Sequence, residues 1–261
     1  MTADKTKAVK RQGAVAVGKP VDARRRTLAV ADAIPAKPWR RYRAVMVEVY
    51  LICAMVVFTI LAVIAQTWAY SALDVKITRA VQTFHAGWFD ALMRGVAWIG
   101  FLPQGPLIAA GILLLLYARG RKWEMVMTGA SVLGGSALGF GLKVLIARPR
   151  PSADLVTVIK QLGDNSFPSG HVLFFTTLFG FLLYLAYTLL KHSWRRTLLL
   201  VLLLGLLGII GPSRIYVGEH WASDVVAANL LGSVWLALSV LVYRWGARRG
   251  MTGRNDAEAA R

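Results

Sequence analysis

The sequence predicts an all-α fold, a polytopic membrane bundle with six transmembrane helices. Three observations predict it. The chain of 261 residues is 56% hydrophobic and has a mean hydropathy of +0.53, too apolar for an ordinary soluble domain. Six apolar stretches each approach the ~20 residues needed to cross ~30 Å of hydrocarbon. The connections between them alternate in character, short and basic on one side, longer or poorer in basic residues on the other.

Residues 1–43 are a different material from the rest. Twelve Lys and Arg, from Lys5 to Arg43, face only Asp4, Asp22 and Asp32, and large apolar residues are sparse. This segment reads as a disordered basic leader. It is too long for the basic end of a signal peptide, and no small-residue cleavage site follows the first apolar run closely. It is expected on the cytoplasmic side, solvated or resting on anionic lipid headgroups.

The apolar stretches fall at 44–68, 96–118, 124–146, 169–190, 197–217 and 224–243, so the membrane domain spans 44–245 and a short tail follows at 246–261. Pro103 and Pro106 in the second are expected to kink its start or displace it toward Leu107. Segment 74–93 has apolar positions at helical spacing (Val75, Ile77, Ala80, Val81, Phe84) and is expected to be an amphipathic helix on the outer surface.

The links 118–124, 191–196 and 244–250 are short and basic. Counted with the leader and tail, their side holds 23 of the 31 Lys and Arg. The positive-inside rule therefore places both termini in the cytoplasm. The formal net charge of +18 and pI near 10.7 would point to nucleic acid in a soluble protein. Here topology accounts for the charge, and no nucleic-acid-binding signature is present. The single cysteine, Cys53, lies in an apolar run and excludes an intrachain disulfide.

The outer side keeps few basic residues, so those present need reasons. Lys143, Arg148 and Arg150 cluster at the outer end of the third span. Arg214 ends the fifth, His171 opens the fourth, and His220 and Asp224 open the sixth. Taken singly, each has a bland account: a snorkelling lysine, loop charges, a capped helix start. Together, four helix ends bring them to one membrane face.

Four cations and two histidines around one spot fit a polyanion, and phosphate fits best. Arginine supplies a planar fork of donors and lysine a point charge. The stretch Pro168-Ser169-Gly170-His171 adds backbone N–H groups at a helix start, where the dipole favours an anion. Gly170 lets a phosphate approach the backbone, and Ser169 adds a hydroxyl donor. His220 and Asp224 are four apart, on one face if helical. A carboxylate on one imidazole nitrogen leaves the other basic and aimed, the arrangement of a nucleophilic histidine. His171 is then free to act as general acid.

These residues also resemble a known family. Lys143, six residues, Arg150-Pro151; Pro168 to His171; and Ser213-Arg214, five residues, His220, three residues, Asp224 are similar to the three motifs of the type-2 phosphatidic acid phosphatases, the lipid phosphate phosphatase superfamily. The motifs cover 143–224, and the six-span layout extends the likeness to about 44–245. In "RPRP", Arg148-Pro149 stands only four residues beyond Lys143, so Arg150 takes the motif position and Arg148 is a helper or bystander.

The resemblance implies roles. Lys143, Arg150, Ser169, Gly170 and Arg214 would hold phosphoryl oxygens and offset their charge in the transition state. His220 would form a phosphohistidine, Asp224 would orient it, and His171 would protonate the leaving oxygen. It implies no cofactor and no metal, the basic cluster standing where magnesium stands in other phosphoryl-transfer sites. The outer acids Asp74, Asp90, Asp154, Asp164, Glu219 and Asp224 read as scattered in sequence. His192 reads as solvated in a basic loop, and His85, on the outer side, matches no motif.

The expected activity is hydrolysis of a lipid phosphate such as undecaprenyl diphosphate, phosphatidic acid or phosphatidylglycerol phosphate, at the periplasmic face of a bacterial inner membrane. Two rivals stand beside it: a phosphotransferase passing the phosphoryl group to a lipid A or sugar acceptor, and a non-enzymatic lipid-phosphate or anion transporter. Six spans exclude a soluble secreted acid phosphatase. Nothing in the sequence fixes the oligomeric state.

Overall fold

The computed structural model describes residues 38–252, with side chains from Tyr42 onward. The expected basic leader therefore lies mostly outside the described residues, as does the end of the tail. The chain divides into a unit 1–49 and a unit 50–261, and all geometry below belongs to the second.

Among the described residues there are eight helices and no strand. They are α1 (Pro38–Thr67), α2 (Ala72–Gln82), α3 (Gly87–Ile99), α4 (Gln104–Ala118), α5 (Lys122–Ile146), α6 (Gly170–Leu189), α7 (Trp194–Tyr216) and α8 (Ala222–Arg248). Residues Tyr42–Thr67 of α1 and the whole of α5, α6, α7 and α8 are long and apolar enough to cross a membrane. The pair α3–α4, bent by 65° at its break, makes a sixth span when read as one.

Boundaries follow local chemistry. Helix α1 opens on Pro38, ahead of the expected start at 44, because proline's fixed φ and missing N–H suit a first helical position. The second span breaks as its prolines required. Helix α4 restarts at Gln104, and Pro106 sits in its first turn, where no intrahelical donor is lost.

The expected single surface helix over 74–93 is corrected on two counts. It is two helices, α2 and α3, separated at Thr83–Ala86. A row of α2 turned into the protein is polar: Asp74, Thr78 and Gln82, at i, i+4 and i+8, are buried while Leu73 is exposed. The apolar spacing was genuine as well: Ile77 and Val81 pack against the core beside this polar row. Gln82 Nε2 donates to the Thr157 and Tyr216 carbonyls at 2.7 and 2.9 Å, and its Oε1 accepts from the Thr157 N–H at 3.0 Å. One side chain thus ties α2 to the long loop after α5 and to the end of α7.

Helix α6 is the central helix and packs against α5, α7 and α8. Val172, Phe175, Leu178 and Phe181 are fully buried on it. Its approach to α5 needs a small residue: a Cβ at Gly139 would lie 2.7 Å from a Leu173 methyl. By contrast α1 buries only Ala54, Phe58 and Ala65 among its described apolar residues, a single stripe. The antiparallel order of α5 to α8 puts the C-terminal ends of α5 and α7 beside the N-terminal ends of α6 and α8.

Candidate active site

All eight residues singled out in the sequence lie at that end. Lys143 is in the last turn of α5 and Arg214 in the last turn of α7. Ser169 caps α6, and Gly170 and His171 open it. Arg150 comes from the loop after α5, His220 from the turn before α8, and Asp224 from the first turn of α8.

His220 and Asp224 do meet, though not on one helical face. His220 precedes α8, whose cap is Trp221, and the turn brings its Nδ1 to 3.6 Å from Asp224 Oδ2. Arg150 Nη1 stands 3.3 Å from His220 Nε2. Arginine has only donors, so Nε2 accepts and the ring proton sits on Nδ1, facing the carboxylate. This is the tautomer that points the Nε2 lone pair at the Arg150 guanidinium. Burial, and after it the charges of Arg150, Arg214 and Lys143, push the His220 imidazole well below the ordinary histidine range. It is neutral at pH 7.

Asp224 is fully buried. Its Oδ2 accepts from the Trp221 N–H at 2.9 Å and from Ser166 Oγ; its Oδ1 accepts from Arg148 Nη1 at 2.6 Å.

Lys143, Arg150 and Arg214 each have an acidic neighbour. Lys143 Nζ donates to Asp164 Oδ2 at 2.7 Å and to the Asn165 carbonyl at 2.6 Å. Arg150 donates to Asp164 Oδ1 through Nη2 at 2.7 Å and to the Glu219 carbonyl through Nη1 at 2.6 Å. Partial burial pushes the Asp164 carboxyl up, but the hydrogen bond from Lys143 and the charges of Arg150 and Lys143 outweigh it and bring it down to about 2. Arg214, fully buried, pairs with Glu219 and donates to the Ala97 carbonyl at 3.1 Å. The reading of the outer acids as scattered is therefore corrected for Asp74, Asp164, Glu219 and Asp224. All four gather here, each bound to a basic side chain. No group of three or more metal-ligating side chains occurs among the described residues.

The start of α6 faces these cations. Ser169 Oγ is buried and has no hydrogen-bond partner among the described residues, and neither has His171 Nε2. A Cβ at Gly170 would touch only Lys143 Cε, at 3.8 Å. The space beside that backbone is open and lies under the ammonium group, where the orphan N–H groups of a helix start favour an anion. The His171 ring packs edge-on to Phe101, centroids 4.8 Å apart, and lies against the bare backbone of Gly100, where a Cβ would fall 2.2 Å from its Cδ2. Phe101 also carries the Arg214 guanidinium over its face at 4.9 Å.

Arg148, expected as a helper or bystander, is instead fully buried and bridges Asp224 to Asp74 of α2 at 2.6 and 2.8 Å. Sequence reasoning missed Asp74, Ser166, Asp164, Glu219 and Phe101. Only Asp74 left a readable signal, the capping box it forms with Ser71. His85 and His192 are exposed and stand apart from the site; His85 lines a separate surface cavity with Arg79 and Asp154.

A basic cluster around two histidines, built from helix ends at one end of a membrane bundle, defines the class. Residues 124–248 match the model of the PAP2 superfamily. It is 27% identical over 183 residues to phosphatidylglycerophosphatase B of Bacillus subtilis, covering 67% of this chain and 85% of that protein. It is 36% identical over 139 residues to an undecaprenyl-diphosphatase of Sulfolobus acidocaldarius, covering 51% and 62%. The crystal structure of the transmembrane PAP2-type phosphatidylglycerolphosphate phosphatase from Bacillus subtilis superposes with a TM-score of 0.58 at 25% identity, covering 72% of this chain and 93% of that one. The apolar helices and these membrane relatives make the chain an integral membrane protein.

Proposed function

We propose that this protein is a metal-independent lipid phosphate phosphatase working through a phosphohistidine. The observation that carries the reading is the state of His220: neutral, its Nε2 lone pair beside Arg150 and its Nδ1–H facing Asp224. Nε2 attacks phosphorus and the bond from phosphorus to the leaving oxygen breaks. His171 gives that oxygen a proton. Lys143, Arg150, Arg214, Ser169 Oγ and the N–H groups at Gly170 hold the three equatorial oxygens and offset their charge. Asp224 stabilises the imidazolium as it forms. Water then attacks the phosphohistidine, returning its proton to His171 and releasing inorganic phosphate.

A cavity of about 400 Å³ favours a lipid substrate. It lies between α4, α5 and α6, is lined by Ala109, Leu113, Val132, Leu133, Phe174 and Leu178, and ends at Gly170 and His171. A headgroup in the basic pocket leaves its acyl or prenyl chain in this groove. Phosphatidylglycerol phosphate, undecaprenyl diphosphate and phosphatidic acid all fit that description. The Lys and Arg asymmetry supports a site at the outer face with both termini cytoplasmic, and the Bacillus relative supports a bacterial inner membrane.

The test is phosphate release by purified protein from a panel of lipid phosphates, with EDTA present. Wild type turns over and His220→Ala loses essentially all turnover; near-normal rates in His220→Ala overturn the assigned nucleophile. A reporter fused after Arg261 scores cytoplasmic, and a periplasmic score overturns the orientation.

A further inference from the structure

We propose that Asp74 and Arg148 are a charge-balancing pair that positions Asp224 and preserves its negative charge for His220. The inference rests on the phosphohistidine reading above. Neither residue touches the phosphate pocket, and neither belongs to the motifs.

Arg148 is saturated. Its Nε donates to the Ala69 carbonyl at 3.1 Å, Nη1 to Ser223 Oγ at 2.7 Å and Asp224 Oδ1 at 2.6 Å, and Nη2 to Asp74 Oδ2 at 2.8 Å. Asp74 is equally fixed. Its Oδ1 accepts from the Ser223 N–H at 2.9 Å, and its Oδ2 from Ser71 Oγ and Ser223 Oγ, each at 3.0 Å. The relative exposure of the Arg148, Asp74 and Asp224 side chains is 0%, 4% and 0%. Water does not screen them.

The charge count then decides what His220 meets. A buried arginine bonded to Asp224 alone would cancel the carboxylate. The imidazolium that forms when Nε2 bonds to phosphorus would face a neutral pair. With Asp74 on its other side, Arg148 is shared between two carboxylates, and the trio keeps one net negative charge. Asp224 Oδ2, the oxygen nearer His220, is where that charge is exposed to the ring. Arg148 also fixes the carboxylate plane by holding Oδ1, so Oδ2 cannot swing away from Nδ1. These are positioning roles, since both residues act through Asp224.

The experiment compares Asp74→Asn, Arg148→Gln and the double variant in purified form, reading kcat, KM, the pH profile and thermal stability, with His220→Ala alongside. Asp74→Asn keeps the size and leaves Arg148 to Asp224 alone, so the pair becomes neutral. It is expected to lower kcat by about ten- to a hundredfold, the usual cost of losing an outer-shell partner, with KM little changed. The acid limb of its pH profile is expected to move, because the charge felt by His220 changes. The double variant restores one net negative charge and is expected to recover most of the lost kcat. Wild-type kcat and pH profile in a folded Asp74→Asn overturn the proposal. So does a double variant that folds but is no more active than Asp74→Asn, or one that does not fold, because a balanced pair should. If Asp74→Asn alone does not fold, an active double variant supports the proposal. An active His220→Ala sinks the underlying reading itself; an inactive one beside an unaffected Asp74→Asn sinks only the charge-balancing pair.

Discussion

Arg150→Lys separates fork geometry from charge at the point where phosphate would bind. The guanidinium of Arg150 serves three groups at once: the Glu219 carbonyl at 2.6 Å and His220 Nε2 at 3.3 Å through Nη1, and Asp164 at 2.7 Å through Nη2. A lysine ammonium keeps the charge, but as a compact point charge it cannot span the same planar set. On the proposed mechanism two of these N–H groups turn toward phosphoryl oxygens in the transition state. Losing one preorganised donor costs about 10²–10³ in kcat, or about 2.7–4 kcal/mol. Arg150→Lys is therefore expected to reduce kcat by about 10²-fold, and Arg150→Ala by about 10³-fold, since it loses the charge as well. Initial rates of phosphate release from a lipid phosphate in detergent micelles, on protein of unchanged thermal stability, measure this. Arg150→Lys with kcat within threefold of wild type, a margin of about 0.7 kcal/mol, would refute the geometric argument.

Three further outcomes are expected. Because His220 must be neutral to attack and its pKa lies well below the ordinary histidine value of 6.5, kcat/KM holds as pH falls through 6.5 and drops only further down; a limb at or above 6.5 in the rate profile contradicts this. Asp164 stays ionised far below neutrality, with its pKa near 2, and competes with phosphate for Lys143 and Arg150 at every working pH. Asp164→Asn is accordingly expected to tighten inhibition by inorganic phosphate by about tenfold, one pKa unit's worth of free energy, and unchanged inhibition argues that the contact does not compete. Gly129 lines the apolar cavity, and a Cβ there would meet only Leu113 methyls at 3.8 Å. Gly129→Leu is expected to fill the groove and cut turnover of long-chain lipid phosphates while sparing a short-chain soluble phosphate ester; equal loss on both substrates would dissociate the groove from tail binding.

What could be read from sequence depended on how far apart the partners lie. Lys143, Arg150, His171, Arg214, His220 and Asp224 announced themselves because an ionisable group at the outer end of an apolar span is costly and needs a reason, and Ser169 and Gly170 followed as the helix start beside His171. The broken second span was legible for a similarly local cause, since proline is at home in a first turn but not in a helix interior, so Pro103 and Pro106 call for a fresh helix start there. Asp74 and Arg148 were not legible as a pair. They are 74 residues apart, and their contact exists only because α2 buries the polar row Asp74, Thr78 and Gln82, which its apolar spacing did not reveal. The same holds for Glu219 and Asp164. Each is an ordinary loop acid in sequence, and only the fold brings it to a buried cation.

The bend between α3 and α4 has one more consequence. Straightened into a single rod, this segment would be a conventional crossing, and its side chains would point into the space the His171 ring now occupies. By breaking at Gly100, the chain lays naked main chain there and gives the imidazole a berth with Phe101 as its wall. A kink that looks like a defect in the membrane architecture thus works as a mould for the His171 ring. Any change that fills or unbends it displaces that ring without touching a single motif residue.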